Sequence, residues 1–249
     1  MDFKVYIPAR YDSSRLPGKL LLEAGGQTIL ERVYRNACES GASEVVVATD
    51  HAEIAAHARA FGAEVIMTAA GHNSGTDRIA EAAHLKQETA EQLIVNVQGD
   101  EPLLPPRVIT QVAALLDADA GADMATLCEK CGAAEEQADP NICKVVRSKN
   151  GRALYFSRSP IPFCRDPQQA ALLQQHMRRH IGIYAYRVGF LRRFVELPVS
   201  ALESIEKLEQ LRALENGFLI ALADAIEDCG FGIDTQSDYE KYCQLLDAR

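Results

Sequence analysis

The chain lacks the segments that would carry a protein into or across a membrane. No apolar stretch approaches the roughly 20 residues of a membrane span; the longest candidate, Gly217 to Ala223, is broken by Asp224. Its start, Met1-Asp-Phe-Lys4, has neither the charged nor the apolar region of a signal peptide, so a cytoplasmic protein without membrane contact is expected. Positive charge is also short. With 26 Lys and Arg against 35 Asp and Glu, the formal net charge is -9, which argues against a broad nucleic-acid-binding face. Two nucleotide signatures are missing as well: neither a Walker loop nor a Gly-x-Gly-x-x-Gly occurs, so P-loop hydrolysis and standard dinucleotide binding have no support. Cys128 and Cys131 form a CxxC with no second pair to complete a zinc set, and the seven cysteines suit free thiols in a reducing compartment. Repeats, low-complexity segments and clear linkers are absent too.

What is present is the pattern of an α/β enzyme. At 249 residues and 47% hydrophobic, the chain can bury a sizeable core in a single domain, 1–249. Glu44 to Thr49, Glu64 to Met67 and Leu93 to Val97 are short β-branched or apolar runs. Between them lie stretches with helical spacing: Thr28 to Glu39, Ala52 to Phe61 and Ile79 to Leu85, the last capped by Ser74 or Thr76. Pro106 to Leu116 continues the series. Strands alternating with helices predict a parallel sheet with right-handed crossovers. In such sheets ligands sit beyond the carboxyl ends of the strands. Four polar loops fall there, at 8–19, 50–51, 68–78 and 98–102, and they are expected to converge.

Beyond residue 120 the pattern loosens. Met124 to Cys128, Cys143 to Arg147, Ala153 to Ser157 and His180 to Arg187 read as strands, and Ser204 to Leu214 as one amphipathic helix with Ile205, Leu208, Leu211 and Leu214 on its apolar face. Phe218 to Ala225 reads as a last strand and Asp238 to Leu246 as a terminal helix. Residues 120–215 are expected to form an elaboration that covers the site.

The chemistry begins at the first strand. Val5, Tyr6 and Ile7 stop at Pro8, and the following loop carries Arg10, Arg15 and Lys19, with Pro17-Gly18 just before the lysine. Backbone N–H groups after a strand form an anion nest, and these three cations add forked and mobile positive charge. In an acidic protein such a loop points to a polyphosphate. Asp100 follows a buried strand and Gln98-Gly99; Asp234 sits in Gly232-Ile-Asp-Thr after the last strand. Either aspartate alone reads equally well as a turn or cap residue. Together, at two strand ends, they can share a magnesium ion that also takes phosphate oxygens.

A resemblance makes the reading specific. Ile7-Pro-Ala-Arg-Tyr-x-Ser-Ser-Arg-Leu-Pro-Gly-Lys19 resembles the signature of the sugar nucleotidyltransferases that activate acidic sugars with CTP. In order follow Ala48-Thr-Asp50, Ser74-Gly-Thr-Asp-Arg78, Val95-Asn-Val-Gln-Gly-Asp-Glu-Pro102, Ala153-Leu-Tyr-Phe-Ser-Arg158, Arg179-His-Ile-Gly-Ile-Tyr184, Glu206-Lys-Leu-Glu-Gln-Leu-Arg212 and Gly232-Ile-Asp-Thr235. Spanning nearly the whole chain, they resemble the 3-deoxy-manno-octulosonate (Kdo) cytidylyltransferases. Gln236-Ser237 departs from a frequent Pro-Glu of that family, and 168–177 is a variable connection.

The resemblance implies a Rossmann-like, mostly parallel sheet flanked by helices, of the nucleotide-diphospho-sugar transferase type, with a smaller mixed elaboration. It implies transfer of CMP from CTP to the anomeric hydroxyl of Kdo, with Mg2+ as cofactor, in a homodimer serving lipopolysaccharide biosynthesis. Pro8, Ala9, Arg10, Arg15, Lys19, Ser74, Arg78 and Gln98 would bind the nucleotide, and Asp100 and Asp234 the metal. Arg15, Lys19, Asp100 and Asp234 would be the catalytic set. Gln98, Arg158, His180, Tyr184, Glu209 and Gln210 match sugar-binding positions, where an arginine and a histidine suit a carboxylate. Alternatives at this stage are a cytidylyltransferase for 8-amino-Kdo or another acidic sugar and, in a different class, a non-catalytic nucleotide-sugar sensor.

Overall fold

Alternate residues of the first strand enter opposite cores, and this sets the architecture. Strand β1 (Phe3–Ala9) sends Val5 and Ile7 to one face and Tyr6 to the other, all fully buried. A strand covered on both faces requires helices above and below it. In the computed structural model, which describes residues 1–11, 15–132 and 134–248, those helices are present. Asp12, Ser13 and Ser14 of the opening motif lie outside the described residues.

The remaining strands are β2 (Glu23–Ala24), β3 (Gln27–Thr28), β4 (Glu44–Thr49), β5 (Glu64–Met67), β6 (Leu93–Asn96), β7 (Met124–Lys130), β8 (Lys144–Arg147), β9 (Ala153–Ser157), β10 (Arg178–Arg187) and β11 (Ile220–Asp224). The helices are α1 (Ile29–Glu39), α2 (Ala52–Ala60), α3 (Gly75–Leu85), α4 (Pro106–Asp117), α5 (Ala134–Ala138), α6 (Ala170–His176), α7 (Val188–Glu196), α8 (Ala201–Glu206), α9 (Gln210–Glu215) and α10 (Gln236–Asp247). The main sheet has the order β11-β7-β10-β6-β1-β4-β5, with β8 paired to β10 and β9 to β8. Parallel pairing links β6, β1, β4 and β5, and also β7 with β11; β10 is antiparallel to both neighbours. The α/β class and the mostly parallel sheet are therefore as expected. Helices α1 and α4 pack on the Val5 face, α3 and α7 on the Tyr6 face.

Several elements differ from the sequence reading. Helix α3 starts a turn early, at Gly75, because Ser74 accepts the Asp77 N–H at 3.1 Å and caps it there. Ser204 to Leu214 is two short helices: Lys207 takes a left-handed backbone (φ 54°) and ends α8, and α9 begins at Gln210. Ile205 is consequently 77% exposed and leaves the apolar face assigned to it. Helix α7 has no counterpart in the sequence reading, although Phe190, Leu191 and Phe194 keep helical spacing and are buried. Within 120–215, β7 and β10 belong to the main sheet, whereas β8, β9 and the 158–177 segment extend beyond it.

Strand β10 carries a register shift against β7 between Ile181 and Tyr184. Thr126 donates to the carbonyl of Ile183 at 2.7 Å or that of Ile181 at 3.2 Å, both inside the bulge. Such bulges re-aim side chains near functional sites. Here the rings of His180 and Tyr184 end up 5.3 Å apart.

Candidate active site

A cavity of about 230 Å3 opens at the carboxyl ends of β1 and β6, lined by Pro8, Arg10, Arg15, Lys19, Ser74, Arg78, Gln98, Asp100 and Asp234, among others. Three of the four loops predicted to converge line it directly. The fourth reaches it through an ion pair, Asp50 Oδ2 lying 3.1 Å from the Arg78 guanidinium. Two glycines allow this crowding. A Cβ on Gly99 would lie 3.1 Å from the Pro8 carbonyl oxygen, and one on Gly75 would lie 3.0 Å from Pro8 Cγ. Any larger residue would push the loops apart.

The opening loop is held at both ends. Gly18 N–H donates to the Tyr11 carbonyl at 3.3 Å, and the Tyr11 ring stacks on His51 with centroids 4.0 Å apart. A single 3-10 turn over Lys19–Leu21 then lays the lysine into the cavity, where it is only 9% exposed. Its Nζ donates to Asp100 Oδ2 at 2.5 Å and to Asp234 Oδ1 at 2.9 Å. Arg15 reaches the same Asp234 oxygen at 3.1 Å. Burial opposes the charge on Lys19, but Asp100 and Asp234 outweigh it and hold the ammonium above its ordinary pKa. Lys19 stays charged.

Asp100 and Asp234 are 134 residues apart in sequence, so their meeting needs a cause. Ile233 N–H donates to the Asp100 carbonyl at 2.9 Å, tying the two loops together. Thr235 and Asp238 form a reciprocal cap at the start of α10, fixing the chain just past Asp234. Glu101, beside them, is pushed up to about 8 by burial and by the charges of Asp100 and Asp234. That shift favours the protonated form of Glu101.

The two carboxylates suit a hard divalent cation. They already share one cationic atom, and their oxygens are the donor type magnesium prefers. Among the described residues no cluster of three or more His, Cys, Asp or Glu is placed to enclose a metal. A cation here would therefore complete its shell with phosphate oxygens and water.

Comparisons with known proteins point the same way. Residues 5–225 match the family Cytidylyltransferase. The 3-deoxy-manno-octulosonate cytidylyltransferase 1 of Actinobacillus pleuropneumoniae serotype 5b is 49% identical, over 99% of this chain and all of the relative. The Cellvibrio japonicus 3-deoxy-manno-octulosonate cytidylyltransferase is 50% identical over 99% of each chain. The solved structure of a CMP:2-keto-3-deoxy-manno-octonic acid synthetase complexed with CTP superposes with a TM-score of 0.91, at 40% identity, covering 100% of this chain and 99% of that one. This chain belongs to the 3-deoxy-manno-octulosonate cytidylyltransferase family. A Leptospira borgpetersenii cytidylyltransferase, 18% identical with a TM-score of 0.63, covers 100% of this chain and 88% of its own, and shares the fold.

As a Kdo cytidylyltransferase family member, the chain presents its second group of matching residues on β10, just after β9 and at the start of α9. Tyr184 pairs with Asn96 across the sheet, and Gln98 donates to the Asn96 side chain at 3.4 Å, so Asn96 joins this group to the cavity. Gln210 is buried and reaches Cys143 Sγ at 3.8 Å. Glu209 accepts from Thr76 at the first turn of α3 (2.5 Å), and burial raises its pKa. Arg158 donates to the Glu206 and Pro140 carbonyls at 2.7 and 2.9 Å and lies near Lys207 O at 3.4 Å. A guanidinium has five N–H groups, so two remain for a ligand. Ala9 is fully buried, and its side chain does not line the cavity.

His180 is set among ring and hydroxyl partners. Its Nε2 lies 2.9 Å from Thr126 Oγ1, Phe156 meets it edge to face at 5.1 Å, and burial pushes its pKa down to about 3. A neutral imidazole can meet a ligand through hydrogen bonds but brings no charge to it. The same shift gives a stability signature. Between about pH 3 and 6.5 the unfolded chain takes up a proton that folded His180 refuses, so its contribution rises with pH across that window. The stability difference between wild type and H180Q should shrink as pH falls from 7 to 4, by at most about 1.4 kcal/mol per pH unit. Denaturant melts at each pH measure it, and a flat difference would show that the ring titrates normally.

Sequence reasoning missed Leu20, His72 and Asn73, which also line the cavity. Gly75 and Gly99 were visible as glycines beside strand ends. His72 and Asn73 lie in the loop 68–78 expected at the ligand face, but no motif or periodicity singles them out within it.

Proposed function

We propose that this protein transfers CMP from CTP to the anomeric hydroxyl of Kdo, giving CMP-Kdo and pyrophosphate. The observation that carries the reading is the meeting of Lys19 and Arg15 with Asp100 and Asp234 at the strand ends. It occurs in a chain about half identical to Kdo cytidylyltransferases along its whole length. Family membership argues for the acceptor; the charge arrangement argues for the triphosphate donor.

In this reading Arg10, Arg15 and Lys19 hold the triphosphate, and Ser74 and Arg78 face the nucleoside. Arg78 is buried and fixed by Asp50 and by Thr68 Oγ1, to which it donates at 2.6 Å. Asp100 and Asp234 would hold Mg2+, which, when bound, neutralises charge on the reacting phosphate and the leaving pyrophosphate. The sugar lies toward Gln98, Arg158, His180, Tyr184, Glu209 and Gln210, with its hydroxyl in line with the α-phosphorus. The oxygen–phosphorus bond forms as the α–β phosphoanhydride breaks, the hydroxyl proton passes to solvent, and pyrophosphate leaves with its charge balanced by the basic loop. The protein contributes chiefly position and fixed charge.

We further place the protein in the cytoplasm, with a product destined for lipopolysaccharide, and propose that it works as a homodimer. Support for the dimer comes from the 153–176 region, where Leu154, Phe163 and Leu172 are 59%, 86% and 50% exposed. Gel filtration should show twice the 27.3 kDa chain mass. Elution at the chain mass would remove the dimer from the account.

Pyrophosphate release tests the reaction. With CTP and magnesium, Kdo should support turnover well above 8-amino-Kdo or sialic acid offered singly. Absence of release with all three sugars would contradict the enzyme reading, and faster release with another sugar would redirect it.

A further inference from the structure

The loop from Thr68 to Asn73 forms one wall of the nucleotide cavity through His72 and Asn73, and it is tied to helix α3 at two points. Arg78 donates to Thr68 Oγ1 at 2.6 Å and lies 3.5 Å from the Ala69 carbonyl. One turn further along the helix, Glu81 Oε2 accepts the Ala69 N–H at 2.8 Å and also pairs with His72 Nε2. A single carboxylate oxygen thus fixes both the loop backbone and the ring. Although burial opposes ionisation of Glu81, the His72 and Ala69 contacts lower its pKa, so it is present as the charged acceptor.

Glu81 does not line the nucleotide cavity. It lies on a neighbouring groove of about 550 Å3 that shares His72 and Asn73 with it. The imidazole therefore stands between the two, with Nε2 committed to Glu81 on one side. We propose that Glu81 is a positioning residue that acts through His72, holding the imidazole as a contact for the nucleoside half of CTP. The chemistry is that of an oriented imidazole. With Nε2–H donated to the carboxylate, Nδ1 is the ring nitrogen left to meet a polar group of a ribonucleoside. Ser74, Gly75 and Arg78 line the same cavity; in the reading above Ser74 and Arg78 face the nucleoside, whereas the loop cations hold the triphosphate and the two aspartates the metal.

This inference rests on the CTP reading above but not on the choice of sugar. Its test is accordingly equilibrium binding, read by calorimetry with CTP and, separately, with pyrophosphate, both with magnesium. E81A and H72A should each weaken CTP binding about tenfold, the loss of one charge-assisted contact. Pyrophosphate binding should change less than about twofold, because neither residue sits at the phosphate end. E81Q, which keeps an acceptor for Ala69 and His72, should recover CTP affinity to within about threefold of wild type. The double variant E81A/H72A should be no weaker than either single one, since both remove the same contact. Losses that multiply, or weakening of pyrophosphate equal to that of CTP, would overturn the role. Unchanged CTP affinity in H72A would do the same, and that variant decides the matter if E81A does not fold. Failure of the wild type to turn over Kdo would count against the proposed function alone.

Discussion

Replacing either Asp100 or Asp234 by alanine is expected to lower kcat/KM for CMP transfer by about a thousandfold or more, with the fold intact. Each aspartate is one of two carboxylates on the Lys19 ammonium, so neither can substitute for the other as a ligand to a divalent cation. The fold should survive because the link between the two loops runs through the Asp100 carbonyl, which alanine retains. Lys19 also keeps one carboxylate in each single variant. The conservative D100N and D234N should be nearly as inactive, since an amide keeps shape but loses the charge that would balance a divalent cation. Steady-state kinetics across a magnesium titration, with circular dichroism as the folding control, gives the answer. Turnover within tenfold of wild type would remove the aspartates from the metal site.

The second large effect is on stability, away from the reacting atoms. Glu203 and Arg212 are both buried and paired in a fork, with Arg212 Nε to Glu203 Oε2 at 2.8 Å and the terminal nitrogen to Oε1 at 2.6 Å. The guanidinium also lies 4.9 Å above the Phe194 ring and 3.9 Å from Glu209. Glu203 has a second duty, closing the capping box with Ser200 at the start of α8. E203A would strand a buried cation and open a helix end at once. The expected cost is about 3–5 kcal/mol, or a fall of about 10 °C in Tm for a chain of this size. E203Q keeps the cap and the shape and should lose roughly half as much. A loss below about 1 kcal/mol for E203A would mean that Arg212 finds water or another partner. Glu209 makes the result relevant to the site, because it sits between Thr76 and Arg212.

The parts of the molecule that were legible in advance share a physical origin. Buried parallel strands must be apolar on both faces, so β1, β4 and β6 stand out, and whatever follows them must be the polar loops of the ligand face. That reasoning was enough to bring Arg10, Lys19, Arg78, Gln98 and Asp100 to one cavity. Direction is a different matter. A strand has the same side-chain pattern read either way, so nothing in 178–187 announced that β10 runs antiparallel between β6 and β7. Helix breaks are equally silent when spacing survives them: Leu208 and Leu211 are both buried although α8 has already ended at Lys207. The charge of His180 lay beyond sequence reasoning for a related reason. Whether an imidazole is cationic depends on how much protein surrounds it, and here burial decides for the neutral form.

The central claim, attack on the α-phosphorus of CTP by a sugar hydroxyl in the cavity of Lys19, Asp100 and Asp234, can be watched directly by phosphorus NMR. With CTP, magnesium and Kdo, the account predicts that the three triphosphate resonances give way to one phosphodiester resonance and pyrophosphate in equal amounts. Appearance of CDP and inorganic phosphate, or a CTP spectrum that does not change with Kdo present, would contradict it.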